Sequence, residues 1–384
     1  MKILIVSTSS GSRGGGELSL LYLARALAQR GHAVMLWCST HPRMDELAAA
    51  FAGIGEVHRS DYVNTYDRRG RSLASWLDGA TARRAAEQWR ALAPDVIHLN
   101  KQNLEDGLDL VAAASRCGLP SLCMIHITQT ARYLRAVLAG PRDFVSRRAL
   151  RAFPGMFATT PESRVRDLAE FLGDGARVRM VPNGVPIPET AKLAAARQPK
   201  RAELGIADGE LLCVAVGRMV PQKRPLLFLE IAERIHRSLP HTRFLWVGDG
   251  ALTGEWDAWV AARNLGHAIR RLPWQSDAAG LLAAADVFLH VAEFEGLAFA
   301  ILEALAAGLP CAITPNLLAE MPFLDAANSI AIDDGDAWMH TLRDPARLSA
   351  IGRAARRLAE DRFSFARMAE DYEVLYRQAL LARP

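Results

Sequence analysis

The chain has 384 residues, of which 50% are hydrophobic, and its formal net charge is +4. This length predicts two domains or one large one, and so small a net charge does not indicate a nucleic-acid-binding protein. The five cysteines are scattered, without a Cys-x-x-Cys pair, which argues against metal and disulfide sites and favours a reducing cytoplasm. The apolar runs are too short for a signal peptide or a transmembrane helix. We therefore expect a soluble, cytoplasmic protein, at most peripheral to a membrane.

The first half of the chain alternates short apolar runs with amphipathic stretches, and a Pro182-Asn-Gly184 turn ends the series. Strands that alternate with helices at this spacing predict a parallel sheet covered on both faces. The predicted strands are 3–6, 33–38, 96–99, 121–126, 155–159 and 178–181, and the predicted helices are 17–30, 82–92, 108–116 and 162–172.

Residues 185–201 have no strand pattern, and we interpret them as a connection between domains. The alternation then restarts and predicts a second parallel sheet, followed by two helical stretches between 343 and 381 that are split near residue 363. Two doubly wound domains that face each other would form a cleft at the carboxyl ends of their strands, where such sheets bind ligands. The predicted strands are 211–216, 243–247, 268–272, 286–291 and 311–314, and the predicted helices are 225–237, 254–264 and 298–307.

Two glutamates stand out after the strand at 286–291. Glu295 lies in the predicted strand-to-helix loop, and Glu303 lies on the helix that follows. Eight residues at the helical rise span about 12 Å, too far for the two carboxyl groups to act as one acid–base pair. The spacing instead suits two carboxylates that hold opposite ends of one elongated ligand.

Two loops are candidates for binding phosphate. Gly11-Ser-Arg-Gly-Gly-Gly-Glu17 follows the first strand, and its glycines allow close approach to an anion at a helix N-terminus. The alternative is a loop that only turns tightly. Arg218 and Lys223 follow the strand at 211–216, where two cations ahead of a helix suit a diphosphate. Their alternative is ordinary solvated charge.

His126 ends an apolar strand, so its side chain is expected at the predicted cleft, and His98 occupies a similar position. We interpret His290 and the other histidines as structural. Residues 131–153 interleave six arginines with apolar residues, and this pattern fits either an anionic lipid surface or an ordinary surface helix.

These features together resemble the retaining glycosyltransferases of family 4, which have the GT-B fold, and the resemblance covers nearly the whole chain. The motifs that carry it are Gly15-Gly16-Glu17, Asp95-Val-Ile-His98, Pro182-Asn-Gly184, Gly217-Arg218 with Lys223, Val247-Gly-Asp-Gly250, and the Glu-x7-Glu spacing of Glu295 and Glu303.

The resemblance implies an N-terminal Rossmann-like acceptor-binding domain at 1–184, a C-terminal Rossmann-like nucleotide-sugar domain at 185–362, and a C-terminal helix at 363–384 that packs back on the first domain. Arg218 and Lys223 would grip the donor diphosphate, and backbone amides at Gly15 and Gly16 would approach it. Glu303 would bind the ribose.

Further roles follow from the same resemblance. Glu295, with the loop Gly296, Leu297, Ala298 and Phe299, would hold the transferred sugar. His126 would stand near the reacting face of that sugar. Pro273, Trp274 and Gln275 would border the nucleobase.

The implied reaction passes through an oxocarbenium-like state while negative charge grows on the departing nucleoside diphosphate, which Arg218 and Lys223 would stabilise. The family's usual proposal is front-face attack, in which the donor phosphate takes the acceptor's proton. No aspartates that would bridge a metal are evident, so we expect no metal and no cofactor. The sequence departs from the family pattern at His290-Val-Ala-Glu293, where a Ser is common, and at Ala298, where Gly is common.

The resemblance implies a nucleotide-sugar donor and a glycan or lipid-linked acceptor, in bacterial cell-surface polysaccharide or lipopolysaccharide synthesis. The acceptor is expected on the N-terminal domain, partly at residues 60–79, and anionic membrane at residues 131–153. The alternatives are a nucleotide-sugar 2-epimerase of the same fold and a non-catalytic partner subunit. A nicotinamide dehydrogenase is disfavoured because the Gly-x-Gly-x-x-Gly motif is absent.

Overall fold

Two parallel β-sheets organise the chain, each in its own compact unit. The computed structural model describes residues 1–275, 278–333 and 335–382. The first unit comprises residues 1–184 together with the C-terminal helix that begins at Phe365, and the second comprises Val185–Ser364. Residues 383 and 384 of the predicted C-terminal helix lie outside the described residues.

In the described part of the first unit, seven parallel strands lie in the order β3-β2-β1-β4-β5-β6-β7. The order reverses between β1 and β4, so the loops after these two strands meet at one point of the sheet's carboxyl edge. The strands are β1 Lys2–Ser7, β2 Ala33–Ser39, β3 Glu56–Ser60, β4 Val96–Asn103, β5 Ser121–Ile127, β6 Met156–Thr159 and β7 Val178–Met180.

Helices cover both faces of this sheet. The helix α1 shows why: it buries Leu20, Leu23 and Leu27 along one face, at the three-to-four-residue spacing of an amphipathic helix. The helices of the first unit, before the C-terminal one, are α1 Gly15–Gln29, α2 Asp45–Ala52, α3 Arg71–Leu77, α4 Gly79–Leu92, α5 Leu108–Cys117, α6 Ala139–Arg151 and α7 Glu162–Leu172.

In the described part of the second unit, six parallel strands lie in the order β10-β9-β8-β11-β12-β13. Here the order reverses between β8 and β11. The strands are β8 Leu211–Val216, β9 Thr242–Val247, β10 Ile269–Leu272, β11 Val287–His290, β12 Cys311–Ile313 and β13 Ser329–Ala331. The helices are α8 Thr190–Glu203, α9 Pro225–Ser238, α10 Thr253–Ala262, α11 Ala278–Ala284, α12 Phe299–Ala306, α13 Pro315–Glu320, α14 Met339–Leu342 and α15 Pro345–Arg362.

The predicted strand–helix alternation is confirmed. The two strands that the sequence prediction lacks, β3 and β13, have five and three residues and both lie at a sheet edge. In β3, Val57 is the sole apolar residue. An edge strand buries little apolar surface, so its sequence carries a weak hydrophobic pattern.

Residues 185–201, interpreted from the sequence as a connection between domains without a strand, contain most of the helix α8, which packs against α11. Arg201 and Arg197 project from α8 onto the Asp286 carboxylate, and Arg197 also donates to the carbonyl oxygen of Ala285 at 2.7 Å. The segment is therefore part of the second unit. Its apolar content is low because arginines form the contact.

The C-terminal helix α16, Phe365–Leu381, packs against α1, β4 and β5 of the first unit. Its Tyr376 hydroxyl lies 2.7 Å from Nδ1 of His98, and both side chains are buried. Burial lowers the pKa of His98 to about 3, with the nearby His126 adding to the effect. His98 therefore links the sheet to the C-terminal helix, and its side chain is buried.

All five cysteines are buried free thiols. None of the helices in the described residues combines the length and the apolar character needed to cross a membrane.

We predict that Tyr376→Phe lowers the stability of the protein by about 1–3 kcal/mol, because it leaves the buried Nδ1 of His98 without a partner. The measurement is thermal unfolding at neutral pH. Val374→Ala on the exposed side of the same helix is the control and is expected to change stability by less than about 0.5 kcal/mol. Equal effects of the two substitutions would contradict the role given to Tyr376.

Candidate functional site

In the second unit, the predicted donor-site residues gather where the strand order reverses. The loop after β8 carries Arg218 and Lys223, and the loop after the neighbouring strand β11 carries Glu295. Parallel strands bring their carboxyl ends to one edge, so two loops that are 72 residues apart in sequence meet there.

The centre of this site is the buried carboxylate of Glu295. Lys223 Nζ forms a hydrogen-bonded ion pair with its Oε1, and His290 Nε2 lies 3.0 Å from the same oxygen. Burial by itself raises the pKa of Glu295, but the Lys223 charge and the His290 hydrogen bond outweigh it and lower this pKa to about 2. Glu295 is thus an ionised carboxylate at neutral pH and accepts hydrogen bonds.

His290, interpreted from the sequence as structural, contacts a predicted site residue directly. His290 is the last residue of β11, and that position is the signal that could have identified it. Residues at the carboxyl end of a parallel strand lie at the edge where such sheets bind ligands.

Hydrogen bonds to backbone groups hold the loops after β8 and β11 in place. The Gln222 carbonyl accepts from Glu293 N–H at 2.8 Å, and the Gln222 side-chain amide donates to the Phe294 carbonyl at 3.0 Å. From α13, Asn316 donates to the carbonyls of Ala292 and Glu293 at 3.1 and 2.7 Å. Neither Gln222 nor Asn316 is among the residues predicted from the sequence. They hold the peptide segment that positions Glu295.

Close backbone packing requires the two glycines of the motif Val247-Gly-Asp-Gly250. A Cβ at Gly250 would lie 2.3 Å from the Met219 carbonyl oxygen, and one at Gly248, where φ is +133°, would lie 2.3 Å from the Gly217 carbonyl oxygen. The loops after β8 and β9 are therefore packed backbone to backbone. This close approach fixes the loop from which the exposed Arg218 projects.

The residues predicted to contact the sugar and ribose lie next along the chain. Leu297 and Phe299 are buried, whereas Gly296, Ala298 and Glu303 are half-buried. Ala298 precedes α12 with φ −66° and ψ 122°, which any residue adopts, so the departure from glycine places no strain on the backbone. Glu303 is a carboxylate on an otherwise mostly buried helix.

The predicted nucleobase border follows β10. Pro273 and Trp274 are exposed, and Gln275 is half-buried. The Trp274 N–H donates to Asp249 Oδ2 at 3.0 Å, which ties this segment to the loop after β9. The Trp274 backbone is therefore held in place, and the residue is 44% exposed.

In the first unit, a second chain of polar contacts crosses the point where its strand order reverses. His126 Nε2 lies 2.9 Å from Asn100 Oδ1, and the Asn100 amide donates to the Gly16 carbonyl at 3.1 Å. Burial lowers the pKa of His126 to about 4, so its imidazole is neutral at pH 7. Asn100, which the sequence analysis did not single out, joins the predicted residues His126 and Gly16.

Gln102 on β4 contacts the end of the glycine-rich loop and the first turn of α1. Gly15 and Gly16 begin α1, and a Cβ at Gly16 would lie 2.3 Å from the Gln102 amide. Gln102 donates to Glu17 at 2.9 Å. The helix begins without side-chain capping, so its first backbone N–H groups offer an anion site.

A cavity of ≈ 130 Å³ opens beside this loop. Hydroxyl, imidazole, amide and carboxylate groups line it, a set that suits a ligand rich in hydroxyl groups. The polar lining residues include Ser9, Ser39, His41, Asp61, Asn64 and Asp67.

Within the ranges that the structure describes, no group of three or more His, Cys, Asp or Glu side chains has an arrangement that could hold a metal ion.

Comparison with known proteins identifies two family models that together match most of the chain. The model described as Glycosyltransferase Family 4 matches residues 13–188, and the model described as Glycosyl transferases group 1 matches residues 210–361.

Two curated bacterial proteins are among the relatives. The Escherichia coli UDP-Gal:alpha-D-GlcNAc-diphosphoundecaprenol alpha-1,3-galactosyltransferase is 33% identical over 150 residues, which cover 38% of this chain and 39% of that protein. The putative glycosyltransferase EpsF of Bacillus subtilis (strain 168) is 27% identical over 48% of each chain. The matched region thus spans less than half the length of each relative.

Among solved structures, Anabaena HepE in complex with UDP and glucose is similar to 98% of this chain and 100% of its own, with a TM-score of 0.76 and 17% identity. The likeness at this identity concerns the fold.

We predict that Lys223→Met lowers the stability of the protein by about 3 kcal/mol at about pH 7, because it leaves the buried Glu295 carboxylate without its cation. The Glu295 pKa then rises, so the folded variant binds a proton at higher pH than the unfolded chain does. The deficit relative to the wild type therefore shrinks as the pH falls toward about 4.5. Urea unfolding across this pH range is the measurement.

The matched control is the double variant Lys223→Met/Glu295→Gln, in which the buried group is neutral. It is expected to be more stable at neutral pH than Lys223→Met alone and to lack the pH-dependent deficit. A deficit of the same size at both pH values would show that Lys223 acts through packing and not through the Glu295 charge.

Proposed function

The chain belongs to glycosyltransferase family 4, and from this membership we propose that it transfers a sugar from a nucleoside-diphosphate sugar to a hydroxyl group of a glycan or lipid-linked acceptor. The proposal includes retention of the donor's anomeric configuration, independence of metal ions and a role in bacterial cell-surface polysaccharide or lipopolysaccharide synthesis. The observation that carries it is the meeting of Arg218, Lys223 and Glu295 at one edge of the second sheet.

The diphosphate is proposed to bind at the loop after β8. Arg218 is exposed there, Lys223 is half-buried, and α9 begins two residues after Lys223. Two cations and the positive end of a fourteen-residue helix attract the same anion. As the bond between sugar and phosphate breaks, these charges stabilise the negative charge on the leaving group. Lys223 has three N–H donors, and Glu295 occupies one.

Glu295 is proposed to hold the transferred sugar. With a pKa of about 2, it accepts hydrogen bonds from sugar hydroxyls and is not a proton donor at neutral pH. We therefore assign acceptance of the acceptor's proton to the donor phosphate, in a front-face attack. The chemistry then rests on placement and charge, with Glu303 at the ribose and Trp274 at the nucleobase.

The first unit is proposed to supply the acceptor site. Its polar cavity beside the glycine-rich loop includes Asp61, Asn64 and Asp67, which lie in the 60–79 segment expected from the sequence. His126 is neutral at pH 7 and joined to the Gly16 backbone through Asn100. We propose that His126 meets the sugar and that the amides of Gly15 and Gly16 meet the diphosphate.

The relatives support the choice of ligands to test first. The name of the E. coli relative gives UDP-galactose as its donor and a diphosphoundecaprenol-linked sugar as its acceptor, and HepE was crystallised with UDP and glucose. UDP and an undecaprenyl-diphosphate-linked sugar are therefore the first probes for this chain.

We predict that Arg218→Ala lowers the rate of transfer at least about 100-fold, because a charge aimed at the leaving group is lost. Glu303→Gln is expected to weaken UDP binding about 10-fold or more, because a charged hydrogen bond becomes neutral. A thermal-shift panel of UDP, GDP and ADP selects the nucleotide, and donor turnover is then measured with the matching sugars.

The matched controls are Arg357→Ala on α15 and Glu230→Gln on α9, which change exposed residues of the same types. They are expected to leave turnover and nucleotide binding unchanged. Full turnover in Arg218→Ala would count against the site, and release of an epimerised donor without transfer would indicate the epimerase alternative.

We predict that excess EDTA leaves the transfer rate unchanged, because Arg218 and Lys223 supply the positive charge that a metal would otherwise bring to the diphosphate. The product's anomeric configuration, followed by NMR during the first turnovers, is expected to equal that of the donor. Loss of transfer in EDTA that added Mg²⁺ or Mn²⁺ restores would overturn metal independence, and an inverted product would overturn retention.

A further inference from the structure

One surface of the first unit, which we call the apolar–basic surface, combines exposed apolar side chains with arginines. Its main part is residues 131–148: a turn at 131–138 that leads into α6. Val137 is 82% exposed and Phe144 is 65% exposed. The large apolar side chains exposed within this segment are Tyr133, Leu134, Val137, Leu138 and Phe144. The surfaces of soluble proteins rarely expose so many large apolar side chains together.

The charge of this segment is strongly positive. Residues 131–153 contain six arginines and one acid, Asp143. The Asp143 carboxylate accepts from the backbone N–H groups of Ala131 and Arg132 at 2.7 and 3.1 Å. This contact fixes the start of the turn. Arg142 is taken up by a buried ion pair with Glu105, whereas Arg132, Arg135 and Arg148 are exposed.

The apolar–basic surface is supported by packed helices beneath it. On its inner side α6 buries Val145 and Leu150 and packs against α3. The Tyr66 hydroxyl lies 3.4 Å from Glu105, the partner of Arg142. On α3, the exposed Leu77 adds a further apolar side chain. The exposed apolar side chains are therefore carried by helices whose inner faces are packed against the rest of the first unit.

We propose that this apolar–basic surface docks the protein on an anionic lipid bilayer. Large apolar side chains enter the boundary between head groups and acyl chains, while arginines bind lipid phosphates and keep their apolar stems in the interface. Charge complementarity selects this occupant, because cytoplasmic leaflets are anionic and the segment's one acid is already engaged.

The apolar–basic surface lies close in sequence to the proposed acceptor site, so docking there bears on the proposed function. The turn begins four residues after β5 ends at Ile127, and His126 lies at that same strand end. A bilayer at residues 131–148 would therefore lie beside the sheet edge at which we propose that acceptor and sugar meet. The biological sense of docking rests on the proposed function, since it would present a lipid-linked acceptor to that edge. The binding itself does not.

We predict that the full chain co-sediments with vesicles of equimolar phosphatidylcholine and phosphatidylglycerol, and much less with phosphatidylcholine alone. Arg132→Gln/Arg148→Gln is expected to weaken binding about 30-fold, since each basic residue near an anionic surface contributes about fivefold. Val137→Ser/Phe144→Ser is expected to weaken it at least about 10-fold. High salt should weaken wild-type binding and change that of the arginine variant less.

The matched controls place the same changes elsewhere: Arg353→Gln/Arg357→Gln on α15 and Val374→Ser/Leu381→Ser on α16, all exposed. They are expected to bind vesicles like the wild type. Circular dichroism, thermal unfolding and UDP binding are measured for every variant, and the vesicle readout needs no turnover, so failure of docking is distinct from failure of the proposed transfer.

Absence of wild-type binding to the anionic vesicles would overturn the proposal, as would equal losses in the controls. Light scattering without lipid tests the other occupant, a second copy of the chain. A dimer that Val137→Ser/Phe144→Ser dissociates, with vesicle binding unchanged, would overturn lipid docking and assign the surface to self-association.

Discussion

The ion pair between Lys223 and the buried Glu295 is the contact on which the second unit's site depends. It joins the loops after β8 and β11, and His290 and Lys223 share one oxygen of the carboxylate. A buried carboxylate is unfavourable unless charge and hydrogen bonds compensate it. The same arrangement that makes its burial tolerable also keeps it ionised, and so fixes its chemistry as an acceptor of hydrogen bonds.

Both sheets have the same topological feature, a reversal of strand order, but the residue types around it differ. In each sheet the strand order reverses once, between β1 and β4 and between β8 and β11, and a polar network crosses that point. In the first unit the network is neutral, from His126 through Asn100 to the Gly16 backbone. In the second unit it is charged. This difference matches the proposed division between an acceptor site and a site for a diphosphate, because a diphosphate needs cations whereas a hydroxyl-rich ligand needs hydrogen-bond donors and acceptors but no positive charge.

The proposed membrane docking and the proposed donor binding make different demands on arginine. Arg218 belongs to a loop fixed by backbone packing against Gly248 and Gly250, as a geometrically defined contact with a diphosphate requires. Arg132 and Arg148 are exposed beside large apolar side chains, where a planar, diffuse lipid surface needs number and reach more than exact placement. Arginine in this chain also has a third use, as the packing contact of α8 against Asp286.

The sequence by itself determined the two parallel sheets, most of their strands and helices, and the loops that carry Arg218, Lys223 and Glu295. It could do so because buried parallel strands and amphipathic helices leave strong local patterns, and the strand ends then locate the loops. It did not reveal β3, β13 or α8, since edge strands and an arginine-mediated contact have weak hydrophobic patterns. Only the tertiary structure decided that His290 contacts Glu295 while His98 holds the C-terminal helix. His290 ends β11, whereas His98 lies inside β4, which extends to Asn103 and so beyond the predicted end at residue 99. The neighbours that surround each histidine depend on contacts between residues far apart in sequence.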